Sequence, residues 1–229
     1  MKYSYKDTFE IPDFFDDPFH VRYDAIRHKD DFVPHHKTSH FDGIFPGYRL
    51  YEDKIDPNII KFIYHKLTSI FTDRIASLKI HYHLVSSSYG LGFPHQDLIG
   101  EVKSSEKLGV GLIYMNLELP SHDDDYGTTI YHENLNDWLK IIECDTREEY
   151  VSRMQIAYSD DVDLSNLYKQ HFRNQCNEGK FKLTVKKRFS FEFNKFVYYD
   201  PTSFHSPGYF FGNDVSKGRL TIGTWIKFK

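Results

Sequence analysis

The feature that most limits the fold of this chain is a change in the spacing of its apolar residues. Apolar residues recur at helical spacing in two early stretches, which predicts helices over 18–28 and 57–76. From residue 78 onwards, short runs rich in β-branched and aromatic residues dominate, which is typical of strands. One stretch of helical or irregular character, 133–185, interrupts the series. Helices followed by interrupted strands predict an α+β fold that is mainly β, with a sandwich or barrel core.

Length and composition indicate one globular domain. Of the 229 residues, 40% are hydrophobic and 17% aromatic, which supplies enough apolar surface for a core and excludes intrinsic disorder. We therefore predict a single domain over 1–229, in which 1–77 gives helical support. The β core is expected in 78–132 and 186–229. The insertion, 133–185, is a candidate lid, because long insertions near barrel rims often carry function.

Charge, cysteine content and hydropathy exclude several classes of protein. Lys and Arg number 29 against 33 Asp and Glu, a net charge of −4, so the basic surface of a duplex nucleic-acid binder is missing. Cys144 and Cys176 are too few for a disulfide framework or a Cys-rich metal site. Neither a membrane span nor a signal-peptide stretch is visible. The sequence indicates a cytoplasmic protein without a membrane partner, and favours a small molecule or a protein side chain as substrate.

Histidine, with 13 copies, forms one pattern that suits metal binding. In His-x-Asp the two side chains share one face of a strand, where they can bind one metal ion. The pattern occurs four times, whereas 13 His and 22 Asp in 229 residues give about one by chance. The copies at His28, His40 and His122 lie in charged or irregular surroundings. His95-Gln-Asp97 differs, because a Gly-Leu-Gly-Phe-Pro segment leads into it and a strand follows after one polar loop.

A third ligand is expected on another strand. His205 lies among aromatic strand residues in YYDPTSFHSPGYFF, where a neutral histidine needs a partner. Two histidines and one carboxylate with open positions form the facial triad of non-haem Fe(II) oxygenases. Zinc with a bound water also fits this ligand set, and a hydrogen-bonded core histidine is the alternative for His205. The candidate metal ligands are His95, Asp97 and His205.

The last strand, GRLTIGTWI, distinguishes an iron site from a zinc site. Its alternation places Arg219 and Thr221 on one face and Leu220, Ile222 and Ile226 on the other. If the aliphatic face packs on the helices, Arg219 points into the barrel, where a buried guanidinium needs an anionic partner. A dicarboxylate ligand would supply that partner through a bidentate pair. The alternative is a partly exposed arginine at the start of a strand.

Taken together, these residues resemble the 2-oxoglutarate/Fe(II)-dependent oxygenase superfamily, and most closely its prolyl-4-hydroxylase-like branch. The Ile-Tyr-Met-Asn segment around Tyr114 is similar to the branch's Tyr-Leu-Asn strand, and 127–129 is similar to its Gly-Gly-Glu-Thr turn. Trp225 follows Arg219 by six residues, as in the branch's final strand. The N-terminal pattern DFFDDP…VR…FPGYR resembles an uncharacterised bacterial and viral group of the superfamily.

The resemblance covers 78–132 and 186–228, and the chain departs from it in two places. The 14 positions from His205 to Arg219 exceed the family's usual spacing. The tyrosine that the family carries on the strand before the metal ligands is also missing from its usual position. Two residues remain candidates for its role, Tyr82 and Tyr89.

The resemblance implies a double-stranded β-helix, or jelly roll, with the N-terminal helices packed on one sheet. It implies that Fe(II) is held by His95, Asp97 and His205, and that the far carboxylate of 2-oxoglutarate is bound by Arg219, Tyr114 and Thr221. The implied reaction uses O2 to hydroxylate a C–H bond and releases succinate and CO2. Two alternatives remain open: a zinc-dependent hydrolase with the same triad, and a non-catalytic jelly-roll binding module.

Overall fold

A computed structural model of the protein describes residues 2–34, 47–90, 92–97, 106–121, 125–133, 135–141, 144–157, 161–177 and 182–229. The strands in these ranges are β1 (Phe9–Ile11), β2 (Val33–Pro34), β3 (Tyr48–Tyr51), β4 (Ile75–Val85), β5 (Lys107–Tyr114), β6 (Thr128–Tyr131), β7 (Val185–Phe189), β8 (Phe196–Tyr199), β9 (His205–Pro207) and β10 (Arg219–Phe228). The α-helices are α1 (Pro18–Arg27), α2 (Pro57–Ile70), α3 (Leu135–Ile141), α4 (Arg147–Ala157) and α5 (Val162–Asn177).

Two antiparallel sheets form the core. The larger sheet has the strand order β1-β8-β5-β10-β4-β3-β2, and the smaller has the order β7-β6-β9. A bridge between His95 and His205 adds the segment 92–97 to the smaller sheet beside β9. From β4 onwards the chain therefore crosses repeatedly between the two sheets, which is the strand order of a jelly roll. The predicted fold class is confirmed.

The two N-terminal helices cover the outer face of the larger sheet. Each begins at a proline preceded by an aspartate cap: Asp17 accepts the N–H of His20 at 3.0 Å, and Asp56 accepts that of Asn58 at 2.8 Å. Their apolar faces form one core with sheet residues, and this core includes Val21, Ala25, Ile59, Ile63, Leu67, Ile80, Leu84, Leu220 and Ile222. Packing of the helices on one sheet is thus confirmed, and the opposite face of that sheet is left for a site.

The predicted end of the second helix is wrong. α2 ends at Ile70, and β4 begins at Ile75. Because the buried side chains of Phe71 and Ile75 continue the four-residue spacing of the helix, the sequence favoured a longer one. The chain leaves the helix where the backbone N–H of Thr72 donates to the carbonyl of Tyr3 at 2.8 Å, so a tertiary contact replaces the next turn.

The first 77 residues contribute strands as well as helices, which the sequence did not predict. β1 pairs with β8 at one edge of the larger sheet, whereas β3 pairs with β4 and β2 with β3 at the other. The expectation of helical support alone is therefore incomplete. These added strands extend the sheet on both sides of the four jelly-roll strands.

Three of the described helices, α3 to α5, lie between β6 and β7, which are direct neighbours in the smaller sheet. Helix α5 packs on the segment 92–97: the ring of Phe93 lies 4.9 Å from that of Phe172 and 5.7 Å from that of Tyr168. That 133–185 is an insertion into a single domain stays a prediction. Among the helices that the structure describes, none is both long and apolar enough to cross a bilayer.

Candidate metal centre

The three predicted metal ligands come together where the segment 92–97 pairs with β9. Their ligand atoms all lie within 4.8 Å of one another. His95 Nε2 is 3.8 Å from Asp97 Oδ1, and His205 Nε2 is 3.5 Å from Asp97 Oδ2. The two histidines are buried, with 5% and 3% of their surface exposed. The structure thus places the three residues as a group that can hold a metal ion.

Backbone carbonyls determine which ring nitrogen of each histidine faces this group. The carbonyl oxygen of Phe93 lies 2.7 Å from His95 Nδ1, and that of Ser203 lies 3.0 Å from His205 Nδ1. A carbonyl can only accept, so each Nδ1 carries the proton and each neutral ring presents its Nε2 lone pair inwards. Burial lowers the pKa of both histidines to about 4, which keeps the rings neutral at pH 7.

The donor set suits a divalent cation. Two imidazole lone pairs and one carboxylate converge at distances longer than ordinary hydrogen bonds, so direct contact between them does not account for the arrangement. Burial raises the pKa of Asp97, which means that its negative charge is poorly solvated. A bound cation would stabilise that charge, and outer-shell carbonyls on the histidine Nδ1 atoms are typical of metal sites.

Sequence reasoning missed Tyr199, whose hydroxyl lies 3.3 Å from both Asp97 Oδ2 and His205 Nε2. Burial raises the pKa of this hydroxyl well above its usual value, so it keeps its proton and acts as a donor. The sequence FVYYD holds a signal for this residue, because adjacent residues of a strand point to opposite faces. Tyr198 packs in the core under the helices, so Tyr199 points to the site.

The residues predicted to bind a carboxylate share the inner face of the larger sheet. Thr221 on β10 pairs with Tyr114 on β5, and Arg219 precedes Thr221 by two residues on the same face. The aliphatic residues of β10 pack under the helices instead, as the predicted alternation requires. Arg219 is 3% exposed, and its guanidinium carbon lies 5.6–5.8 Å from the ring centres of three aromatic residues, Tyr114, Phe191 and Phe210.

Hydrogen bonding around Arg219 suits an anionic ligand. The guanidinium donates long bonds to two carbonyls, 3.3 Å to that of Tyr126 and 3.5 Å to that of Gly127. Thr221 Oγ1 is buried and has no hydrogen-bond partner among the described residues, and such a group is uncommon in folded proteins. The Tyr114 hydroxyl donates to Thr128 at 2.8 Å. A carboxylate beside Arg219 would accept from the Thr221 hydroxyl and the guanidinium.

The other candidates lie elsewhere. His28 contacts Asp31 at 2.9 Å at the exposed end of α1, and the pairs at His40 and His122 lie outside the described residues. Tyr82 points away from the centre, because its hydroxyl donates to the carbonyl of Val21 under the helices at 2.9 Å. Tyr89 lies in the turn after β4.

Solved structures of two prolyl hydroxylases have the same architecture. A Pseudomonas putida prolyl-4-hydroxylase matches with a TM-score of 0.51, covering 97% of this chain and 92% of that one at 9% identity. The chain has the fold of the prolyl-4-hydroxylases. A Trichoplax adhaerens prolyl hydroxylase, solved with a hypoxia inducible factor oxygen degradation domain peptide, matches with a TM-score of 0.53 over 96% and 82% of the two chains, at 13% identity.

These likenesses confirm the family resemblance at the level of the fold. At 9% and 13% identity they identify an architecture and leave substrate and reaction to the residues of the site. The sequence itself matches no protein-family model and no curated protein. Function therefore has to be argued from the geometry of the site.

Proposed function

We propose that the protein is an Fe(II)- and 2-oxoglutarate-dependent oxygenase that hydroxylates a C–H bond of its substrate. The observation that carries the proposal is the pairing, on this fold, of two features of the buried site. One is the His95, Asp97 and His205 group, and the other is the buried Arg219 beside the Thr221 hydroxyl, which has no hydrogen-bond partner among the described residues. A zinc hydrolase would use the triad but gives Arg219 and Thr221 no role. A binding module could retain both features but would form no succinate.

In this proposal the triad holds Fe(II), and the bound metal supplies the oxygen chemistry that converts 2-oxoglutarate and O2 to succinate and CO2. Arg219 binds the far carboxylate of 2-oxoglutarate through its planar fork, with Thr221 donating a further hydrogen bond and Tyr114 assisting. Burial raises the pKa of Tyr114 to about 12, so its hydroxyl remains a donor. The aromatic residues around Arg219 keep water from competing for that carboxylate.

Formation of succinate tests the proposal without knowledge of the primary substrate. We expect the purified protein to convert 2-oxoglutarate to succinate slowly, and only when Fe(II), 2-oxoglutarate and O2 are all supplied. Omitting any one of them, or replacing Fe(II) by Zn²⁺, should reduce succinate to the background of a protein-free control. Absence of succinate under every condition would contradict the oxygenase proposal and would leave the binding module and the zinc hydrolase, neither of which forms succinate from 2-oxoglutarate.

We also propose that 133–185 is an insertion whose helices cover the mouth of the site. Support comes from α5, which packs on Phe93, two residues before His95, and whose Lys169 donates to the carbonyl of Tyr89. Limited proteolysis should cut this segment first, and Fe(II) together with 2-oxoglutarate should slow that cut. Mass spectrometry of the first fragments locates the cut. Cleavage in the core strands before this segment would contradict the assignment.

A further inference from the structure

Arg49 is a further buried arginine; it faces the site and has no role in the proposed function. Register places Tyr114, Thr221, His83 and Arg49 in one row across β5, β10, β4 and β3. Side chains in one row of an antiparallel sheet project from the same face. The next residue on β3, Leu50, packs under the helices, so Arg49 projects towards the site side, as Thr221 does.

The guanidinium of Arg49 is buried, and no carboxylate of the described residues forms an ion pair with it. Arg49 is 7% exposed, and its Nη1 has no hydrogen-bond partner in the described part of the chain. Burial lowers its pKa to about 9, opposed by the charge of Asp97, so the side chain is still a cation at neutral pH. A buried cation with an unsatisfied donor is costly, and folded proteins seldom retain one without a use.

The position of Arg49 relates it to the metal centre and separates it from the 2-oxoglutarate site. The row from Tyr114 to Arg49 lies on the face of the larger sheet opposite the helices, and the charges of Arg49 and Asp97 are close enough to interact. β3 lies two strands from β10, which at the usual strand spacing puts the backbones of Arg49 and Thr221 about 10 Å apart. The proposed function already assigns both ends of 2-oxoglutarate, one to the metal and one to Arg219. Arg49 is thus left for another ligand.

We propose that Arg49 binds a carboxylate of the primary substrate, which makes that substrate a carboxylic acid held beside the metal centre. The inference rests on the proposed oxygenase function. A guanidinium presents two parallel N–H groups to a carboxylate, so the contact would orient the substrate as well as attract it. It would also satisfy the unpartnered Nη1 and neutralise the buried charge.

The first test measures stability without ligand. Arg49→Met keeps a long flexible side chain and removes the charge, so we expect the variant to melt at a higher temperature than the wild type, because an uncompensated charge is lost. Arg188→Met on β7 is the matched control at an exposed arginine, and its melting temperature should stay unchanged. A lower melting temperature for Arg49→Met would show that Arg49 has an internal structural partner, and would overturn the proposal.

The second test measures binding of a simple carboxylate, propionate, with propionamide as its neutral counterpart. Protein saturated with Fe(II) and 2-oxoglutarate under anaerobic conditions is titrated, and thermal shift reports binding. Wild type and Arg188→Met should bind propionate at least about tenfold more tightly than Arg49→Met, and propionamide should bind none of them measurably. Equal propionate binding by wild type and Arg49→Met, or none by the wild type, rejects the role of Arg49.

Succinate formation by the wild type keeps the two proposals distinguishable. If the wild type forms succinate while Arg49→Met binds propionate normally, only the substrate assignment fails. If the wild type forms no succinate with Fe(II), 2-oxoglutarate and O2, the oxygenase proposal fails, and the substrate assignment fails with it.

Discussion

His205→Ala is expected to abolish measurable Fe(II) binding and, with it, succinate formation. In the proposal, His205 supplies one of two imidazole ligands in a group whose ligand atoms lie within 4.8 Å of one another, and no further His, Cys, Asp or Glu of the described chain joins that group. Loss of an outer-shell partner alone lowers metal affinity about 10- to 100-fold, so loss of a ligand should cost at least about 100-fold. Anaerobic titration with Fe(II) measures the affinity, and circular dichroism shows whether the variant is folded.

The other His-x-Asp histidines give matched controls for this experiment. His28→Ala makes the same chemical change at a histidine that contacts Asp31 at the end of α1, and iron should bind as in the wild type. His40→Ala and His122→Ala should behave in the same way. His205→Gln keeps more of the side-chain volume, which separates loss of a ligand from loss of packing. Normal iron binding by both folded His205 variants would overturn the assignment.

Sequence alone brought His95 and Asp97 together as candidate metal ligands because strand geometry acts over short distances along the chain. In His95-Gln-Asp97 the two-residue spacing already places both side chains on one side of a strand. In β10 the same alternation separates Arg219 and Thr221 from the aliphatic residues that pack under the helices. Both inferences needed only the alternation of side chains within one segment, whereas His205 was chosen from its aromatic neighbours on another strand.

What the sequence did not predict depends on which strands become neighbours. Arg49 reaches the site because β3 pairs with β4, and Tyr199 because β8 pairs with β5. Both pairings join segments far apart in the chain, and the register between such strands is determined by packing of the whole sheet. The predicted end of α2 was wrong for a related reason. The backbone N–H of Thr72 donates to the carbonyl of Tyr3, 69 positions earlier in the chain, and this contact replaces the next helical turn.

Arg219→Gln is expected to weaken 2-oxoglutarate binding about 10- to 100-fold while leaving Fe(II) affinity unchanged. Gln keeps hydrogen-bond donors but loses the positive charge and the parallel fork. Charge-assisted hydrogen bonds contribute roughly 1.5–3 kcal/mol, and about 1.4 kcal/mol corresponds to tenfold in affinity. Fe(II) affinity should stay unchanged because Arg219 is not a proposed metal ligand. Anaerobic titration of the Fe(II)–2-oxoglutarate charge-transfer band in both proteins measures the difference.

Further substitutions separate charge, geometry and the neighbouring hydroxyl. Arg219→Lys keeps the charge without the fork and should bind 2-oxoglutarate with intermediate affinity. Thr221→Val removes only the hydroxyl that lacks a partner in the described chain, so its effect should be smaller than that of Arg219→Gln, at about tenfold or less for one neutral hydrogen bond. Arg188→Gln, at an exposed position on β7, should change nothing. Equal 2-oxoglutarate affinities in wild type and Arg219→Gln would mean that another group holds the far carboxylate. Arg49 would then be the first residue to substitute, because its buried guanidinium lies on the same face of the sheet as Arg219.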